Sequence, residues 1–102
     1  MSISAFPIID LKATGENITR LRKETGLSVR DLQAYFGFDS PQAIYKWQWG
    51  ESLPTVDNLY ALSKLLNRSM EEILVIVPQS PILFSSAYSF YHSNIILFKL
   101  QV

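Results

Sequence analysis

The chain has 102 residues, of which 48% are hydrophobic and 13% aromatic, and its formal net charge is zero. This length allows one domain with a short extension, and the hydrophobic content excludes a wholly disordered chain. Zero net charge excludes a uniformly basic coat for nucleic acid. The sequence has no cysteine and one histidine, which excludes disulfides and thiolate metal sites and favours a reducing, cytoplasmic location.

The N-terminal residues predict an arm followed by a first helix. Residues 1–10 lack a basic segment and contain Pro7, so we expect an arm along the domain and no signal peptide. Asp10 can cap a helix that runs to about Thr25. Gly15 costs that helix about 1 kcal/mol relative to alanine, so it could instead begin near Thr14. Its core-facing residues are predicted to be Leu11, Thr14, Ile18 and Leu21, with Arg20, Arg22 and Lys23 exposed.

Residues 28–36 predict a second helix that ends in a sharp turn. Ser28 and Asp31 have the spacing of a capping box. An apolar face follows at helical spacing, formed by Leu32, Tyr35 and Phe36. Gly37 then supplies a residue at which a positive φ costs little, which allows the chain to turn.

A third short helix is predicted immediately after this turn. Either Asp39 or Ser40 can cap it, and Pro41 suits its first turn. Its inward residues are predicted to be Ala43, Ile44 and Trp47, which leaves outward Gln42, Tyr45, Lys46 and Trp49. Helix, glycine turn and helix at this length are typical of a helix-turn-helix, which places its second helix in the DNA major groove.

Two more helices are predicted between residues 55 and 75. Thr55 can cap the fourth, whose apolar face contains Val56, Leu59, Leu62 and Leu66. Ser69 and Glu72 form a second capping-box pattern for a fifth helix that ends at about Val75. Five short helices with short connections predict a compact all-α domain over residues 11–77.

Residues 78–102 differ in character from this domain. No Asp, Glu, Lys or Arg occurs between Ile73 and Phe98. We interpret this segment as an apolar C-terminal extension that docks on the domain or pairs with a second copy, as either helix or strand. Its prolines, serines, His92 and Asn94 argue against the alternative of a membrane anchor. Residues 95–98 also form a β-prone window, so an aggregation-prone tail is a further alternative.

With these elements identified, the chain resembles the phage-repressor-like (Cro/repressor, XRE-type) helix-turn-helix family. The resemblance spans about residues 11–76 and rests on NITRLRKETGLS (17–28), YKW (45–47), GESLP (50–54), LYALSKLL (59–66) and SMEEIL (69–74). Three features depart from the family pattern. Val29 replaces the usual glutamine, Trp49 stands where asparagine is common, and the turn from Gly37 to Ile44 is one residue longer than usual.

The resemblance implies a set of DNA-contacting residues. In the family's geometry the third helix faces base edges, so the implied base contacts are Gln42, Ala43, Tyr45 and Lys46. The implied contacts to the DNA backbone are Ser28, Arg30, Ser40 and Trp49. Other roles remain open: Arg30 could pair with a carboxylate, Trp49 could lie in a dimer contact, and Ala43 could simply pack against the core.

The function implied is a transcriptional regulator that binds double-stranded DNA sequence-specifically, as a homodimer on a pseudo-palindromic operator. The alternative is a helix-turn-helix protein-interaction module, such as the antitoxin of a toxin–antitoxin pair, and zero net charge and Val29 favour that alternative. No pattern for catalysis, a metal, a cofactor or a small-molecule ligand occurs, so an enzyme is not predicted.

Overall fold

Five α-helices form the part of the chain that our computed structural model describes, residues 6–78. They are α1 (Leu11–Glu24), α2 (Val29–Phe36), α3 (Gln42–Gln48), α4 (Val56–Leu66) and α5 (Met70–Ile73). Residues Ile8–Val77 pack as one unit. The predicted all-α, five-helix domain is therefore confirmed, while the predicted C-terminal extension lies, apart from Pro78, outside the described residues.

Local hydrogen bonds define the ends of the helices. The Asp10 carboxylate accepts from the Ala13 N–H at 2.9 Å and caps α1. Capping boxes begin α2, where Ser28 pairs with Asp31, and α5, where Ser69 pairs with Glu72. Gly37 ends α2 with φ of 71°. These predictions from residue spacing are confirmed, because a cap depends only on residues within one helical turn.

The start of α3 differs from the prediction. Pro41 occupies the N-cap position, without a side-chain capping bond, in place of Asp39 or Ser40. The Ser40 hydroxyl instead accepts a long bond of 3.4 Å from the Gln42 N–H. At α4 the Thr55 position is correct, but its hydroxyl bonds the Asp57 side chain and caps no backbone N–H.

One hydrophobic core joins all five helices. Its buried apolar residues are Ile18, Leu21, Leu32, Ile44, Trp47, Leu59, Leu62, Leu66 and Ile73. The predicted core positions Leu11, Tyr35 and Val56 are wrong, since all three are exposed and Val56 is 77% accessible. Leu11 and Val56 are the first residues of α1 and α4. The neighbouring helices do not cover these first turns, so an apolar residue there is exposed although it fits the periodic pattern.

Helices α1 and α3 cross at Gly15. A Cβ atom at this position would lie 2.6 Å from the Gln48 carbonyl oxygen and would also clash with the carbonyl oxygen of Trp47. Gly50, two residues after the end of α3, makes a similar approach to the backbone of Lys12. Helix α1 begins at Leu11 and includes Gly15, so the alternative start near Thr14 is wrong. Gly15 is needed because α1 and α3 pack closely at this position. Helix propensity alone does not indicate this role, since it counts the glycine only as unfavourable.

The two ends of the described domain lie side by side. Ile9 and Ile76 form an antiparallel bridge, and the Asp10 N–H donates to the Val75 carbonyl at 2.7 Å. The Val75 N–H donates to the hydroxyl of the buried Thr14 at 2.9 Å. Because Val75 makes these extended-chain bonds, α5 ends at Ile73 and does not continue to Val75 as predicted.

Candidate nucleic-acid interface

Helix α3 is held from its inner side by a cluster of aromatic residues. Ile44 and Trp47 are buried on this side. Phe36, at the end of α2, and Phe38, in the turn, meet the Trp47 ring edge-on, with centroids 5.4 and 6.0 Å away. Phe36 and Phe38 also stack on each other at 5.2 Å. These aromatic contacts fix α3 against α2 and the turn. The opposite side of α3 remains available for contacts.

That opposite side carries the predicted polar and aromatic residues. At about 100° per residue, the side chains of Gln42, Tyr45, Lys46 and Trp49 fall within an arc of about 100°. We call these four residues the outer face of α3. Gln42, Lys46 and Trp49 are exposed and Tyr45 is half-buried. Ala43 lies at the edge of this face, half-buried against the core.

Two members of the outer face contact each other. The rings of Tyr45 and Trp49 stack, with centroids 5.4 Å apart and an angle of 19° between their planes. The family resemblance implied separate roles for these residues, Tyr45 at the bases and Trp49 at the DNA backbone. Their spacing of four residues places them side by side on a helix, so this contact was accessible from the sequence.

The residues predicted to contact the DNA backbone are all at the surface. Ser28 and Arg30 lie at the start of α2, and Ser40 precedes α3. The Ser28 hydroxyl oxygen accepts from the Asp31 N–H at 3.0 Å, and the hydroxyl proton remains able to donate. Arg30 forms no ion pair within residues 6–78, so the alternative pairing with a carboxylate is not observed there.

An acidic group also lies at the start of α2. The backbone N–H of Ser28 donates to the Asp31 carboxylate at 2.8 Å. This bond, followed by the hydrogen bond with the Ser28 side chain, lowers the pKa of Asp31 below its ordinary value. Asp31 is therefore ionised at neutral pH, and its charge opposes an anion at this helix end.

Arg22 was predicted to lie on the exposed side of α1, and this prediction is wrong. Its side chain is half-buried, donating from Nε to the Gln48 side-chain oxygen at 2.9 Å and from a terminal nitrogen to the Leu27 carbonyl at 2.8 Å. These bonds join the end of α3 to α1 and to the loop before α2. Residues 22 and 48 are too distant in sequence for any local pattern to indicate this contact.

Two other basic residues of α1, Arg20 and Lys12, form ion pairs. Arg20 binds Glu24 at 2.8 Å and the Asn17 side chain, and Arg68 also approaches Glu24 at 3.5 Å. Lys12 pairs with Glu16 at 3.2 Å. In contrast, Lys46 forms no ion pair within the described part of the chain. The outer face of α3 thus has an available cation beside the Gln42 amide.

A domain with α2 and α3 joined by a tight turn, and with α3 exposed along one side, is a helix-turn-helix domain. The helix-turn-helix family HTH_3 matches residues 18–73, more than half of the chain, and the chain belongs to this family. The resemblance to XRE-type regulators noted from the sequence is therefore confirmed.

This chain is similar to a curated protein in sequence and to a solved structure in fold. A Sinorhizobium fredii protein named "Uncharacterized HTH-type transcriptional regulator y4dJ" is 36% identical over 70 residues, which cover 69% of this chain and 90% of that protein. The crystal structure of the DNA-binding domain of BldD matches with a TM-score of 0.56 and 21% identity, covering 65% of this chain and 94% of that structure. This second likeness shows the fold.

A helix that crosses a bilayer needs about 20 consecutive, mostly apolar residues. None of the helices within residues 6–78 is both long enough and apolar enough to cross a membrane.

Proposed function

We propose that this protein is a transcriptional regulator that binds double-stranded DNA sequence-specifically through the outer face of α3. The main support for the proposal is the position of Gln42 and Lys46. Both are exposed and lie one turn apart on a helix that Ile44 and Trp47 anchor in the core. Membership of the helix-turn-helix family and the name of the Sinorhizobium relative support it.

The chemistry of the outer face suits base edges in the major groove. The Gln42 amide can donate to and accept from one adenine, whereas the Lys46 ammonium can donate to the O6 and N7 atoms of guanine or to a phosphate. Ala43, at the edge of this face, is small enough to lie against a thymine methyl group.

Contacts to the DNA backbone would fix the register of α3. Arg30 supplies a cation, and the hydroxyl groups of Ser28 and Ser40 can donate to phosphate oxygens. The indole N–H of Trp49 is a further donor at the other end of α3. The ionised Asp31 beside Ser28 opposes phosphate, so among these groups we expect Arg30 to contribute most.

We further propose that the protein binds a pseudo-palindromic operator as a homodimer. Within residues 6–78, the cations of the proposed interface that form no ion pair are Arg30 and Lys46. Two copies would double both the phosphate contacts and the bases that are read. Half-sites on one face of DNA would then lie roughly 34 Å apart. Exposed Val56 and Tyr60, one turn apart on α4, offer apolar surface for this contact. We propose that α5 and the apolar sequence of residues 78–102 also take part in it.

A helix-turn-helix antitoxin that holds a protein partner is the second candidate. Zero net charge, Val29 in place of glutamine and the Asp31 charge at the start of α2 favour it. The exposed Gln42 and Lys46 oppose it, because a surface for a protein partner does not need an amide and an ammonium group aligned in this way.

Selection of duplexes from a random pool, followed by binding measurements on the enriched sequence, tests the proposal. We expect Gln42→Ala to relax the preference at one base pair per half-site. Arg30→Ala should weaken binding to all sequences alike and reduce the slope of log K against log salt by about one for each half-site. Arg20→Ala is the matched control, since this arginine is already bound to Glu24 and Asn17.

The proposal has two clear ways to fail. If no duplex is enriched, the protein does not read DNA, and the antitoxin alternative is favoured. If duplexes are enriched but Gln42→Ala and Arg30→Ala reduce specificity equally, the assignment of base and backbone roles is wrong.

A further inference from the structure

The stacked Tyr45 and Trp49 rings form a rigid apolar surface on the outer face of α3. Trp49 is 59% accessible, which is high for so large an apolar side chain. Tyr45 is half-buried, and the two rings lie nearly parallel at 5.4 Å. Each ring therefore restricts the other, so little side-chain entropy remains to be lost when a ligand binds.

This pair is continuous with the polar residues of the proposed DNA interface. Tyr45 lies between Gln42 and Lys46 in sequence and within the same arc of the helix surface. A ligand that contacts the Gln42 amide and the Lys46 ammonium group therefore also meets the Tyr45 ring.

The major groove offers few apolar groups to an aromatic ring. Base faces are stacked on one another in duplex DNA, so only base edges are available. The apolar group on those edges is the C5-methyl of thymine. A single-stranded ligand would instead expose base faces, but each ring of the pair already has one face covered by the other.

We propose, resting on the function proposed above, that the Tyr45–Trp49 pair recognises a thymine C5-methyl group in each half-site. Tyr45 supplies the surface that touches the methyl. Trp49 is a positioning residue that holds the Tyr45 ring against the groove. This role for Trp49 is compatible with a hydrogen bond from its indole N–H to a phosphate.

The test uses the full chain and the duplex enriched by selection. Each thymine is replaced in turn by deoxyuridine, which removes only the C5-methyl and keeps base pairing. One position per half-site should bind about fourfold more weakly, the effect expected for a single buried methyl group. Substitution in both half-sites should weaken binding about sixteenfold if the two sites are independent.

Four variants then locate the contact. Tyr45→Ala and Trp49→Ala should bring the uracil-to-thymine ratio of dissociation constants close to one. Tyr45→Phe and Trp49→Phe, which keep a stacking ring, should retain most of the ratio. Gln42→Ala is the matched control from the same face, and it should weaken binding without changing the methyl preference.

The inference is overturned if the wild-type protein binds uracil and thymine equally at every position, or if the enriched duplex contains no thymine in its half-sites. It is also overturned if the ratio persists in Tyr45→Ala, since another residue then contacts the methyl. In each of these outcomes the duplex still binds and the proposed function stands. Failure to enrich any duplex would remove both proposals.

Discussion

Gly15 and Trp49 illustrate how single residues of this chain derive their roles from tertiary contacts. Gly15 looks unfavourable from the sequence, since it lies inside a helix. In the structure it allows the backbone of α1 to approach the carbonyl groups at the end of α3. Trp49, an exposed indole at the end of that same helix, stacks on Tyr45. Gly15 thereby sets how closely α3 packs on α1, and Trp49 restricts the Tyr45 ring on the outer face of α3.

Gly15→Ala should destabilise the domain even though alanine is the better helix former. The new methyl would meet backbone atoms that cannot rotate away, and overpacking costs roughly 1–3 kcal/mol or more. Helix propensity returns only about 1 kcal/mol. Because the new methyl meets backbone oxygens, we take the upper end of this range and expect a net loss of about 2 kcal/mol in the free energy of unfolding, measured by urea denaturation.

The control for this substitution is Glu16→Ala, the next residue of α1, whose exposed side chain pairs with Lys12. Its unfolding free energy should stay within about 0.5 kcal/mol of the wild-type value. A more stable Gly15→Ala protein would show that α1 and α3 do not cross closely at this glycine.

Predictability at the residue scale depended on sequence separation. The caps at Asp10, Ser28 and Ser69 were predicted because each involves residues within one turn. The contacts of Arg22 with Gln48 and of Thr14 with Val75 were not predicted. They join residues that only the folded chain brings together, and neither pair has a local signature.

At the scale of the helices, all five were predicted, with errors at the start of α3 and the end of α5. Caps and apolar periodicity identify a helix, but competing bonds decide where it stops. Periodicity also overestimated how much of α4 is buried, since Val56 belongs to the apolar stripe yet is exposed. The same helix exposes Tyr60 one turn later, which makes this part of α4 the candidate dimer surface.

Charged substitutions on this part of α4 test the proposed dimer. Because Val56 and Tyr60 are exposed in the single chain, Val56→Glu and Tyr60→Glu should leave the fold intact. We expect each to shift full-length protein from dimer toward monomer, measured by size-exclusion chromatography with light scattering. An unpaired glutamate charge buried at Val56 predicts a weakening of at least tenfold in self-association. The effect should be smaller for Tyr60→Glu, because Lys64 lies over the Tyr60 ring and is within reach of a glutamate there.

Ser52→Glu, in the exposed loop after α3, is the control that adds the same charge elsewhere. It should not alter the oligomeric state. Unchanged dimers in both α4 variants would exclude this surface, and a monomeric wild-type protein would exclude the proposed homodimer.

For the whole molecule, an all-α helix-turn-helix domain was predicted from the sum of its local patterns, and the family match confirms it. The pairing of Ile9 with Ile76, which joins the two ends of the domain, was not predicted, because the two residues lie at opposite ends of that domain. Helical periodicity was enough to predict which side chains share the outer face of α3, whereas the packing that holds α3 in place depends on tertiary contacts. Ile44 and Trp47 anchor α3, and that anchoring presents Gln42, Tyr45 and Lys46 together.

The central claim is that this face of α3 contacts the major groove of duplex DNA. Its most direct test is an NMR titration of the isotope-labelled full chain with the selected duplex, following backbone and side-chain amide signals. We expect the largest shifts at the Gln42 side chain and the backbone of Tyr45 and Lys46, with smaller shifts at Arg30. Shifts confined to α4 and α5, with the signals of α3 unchanged, would contradict it.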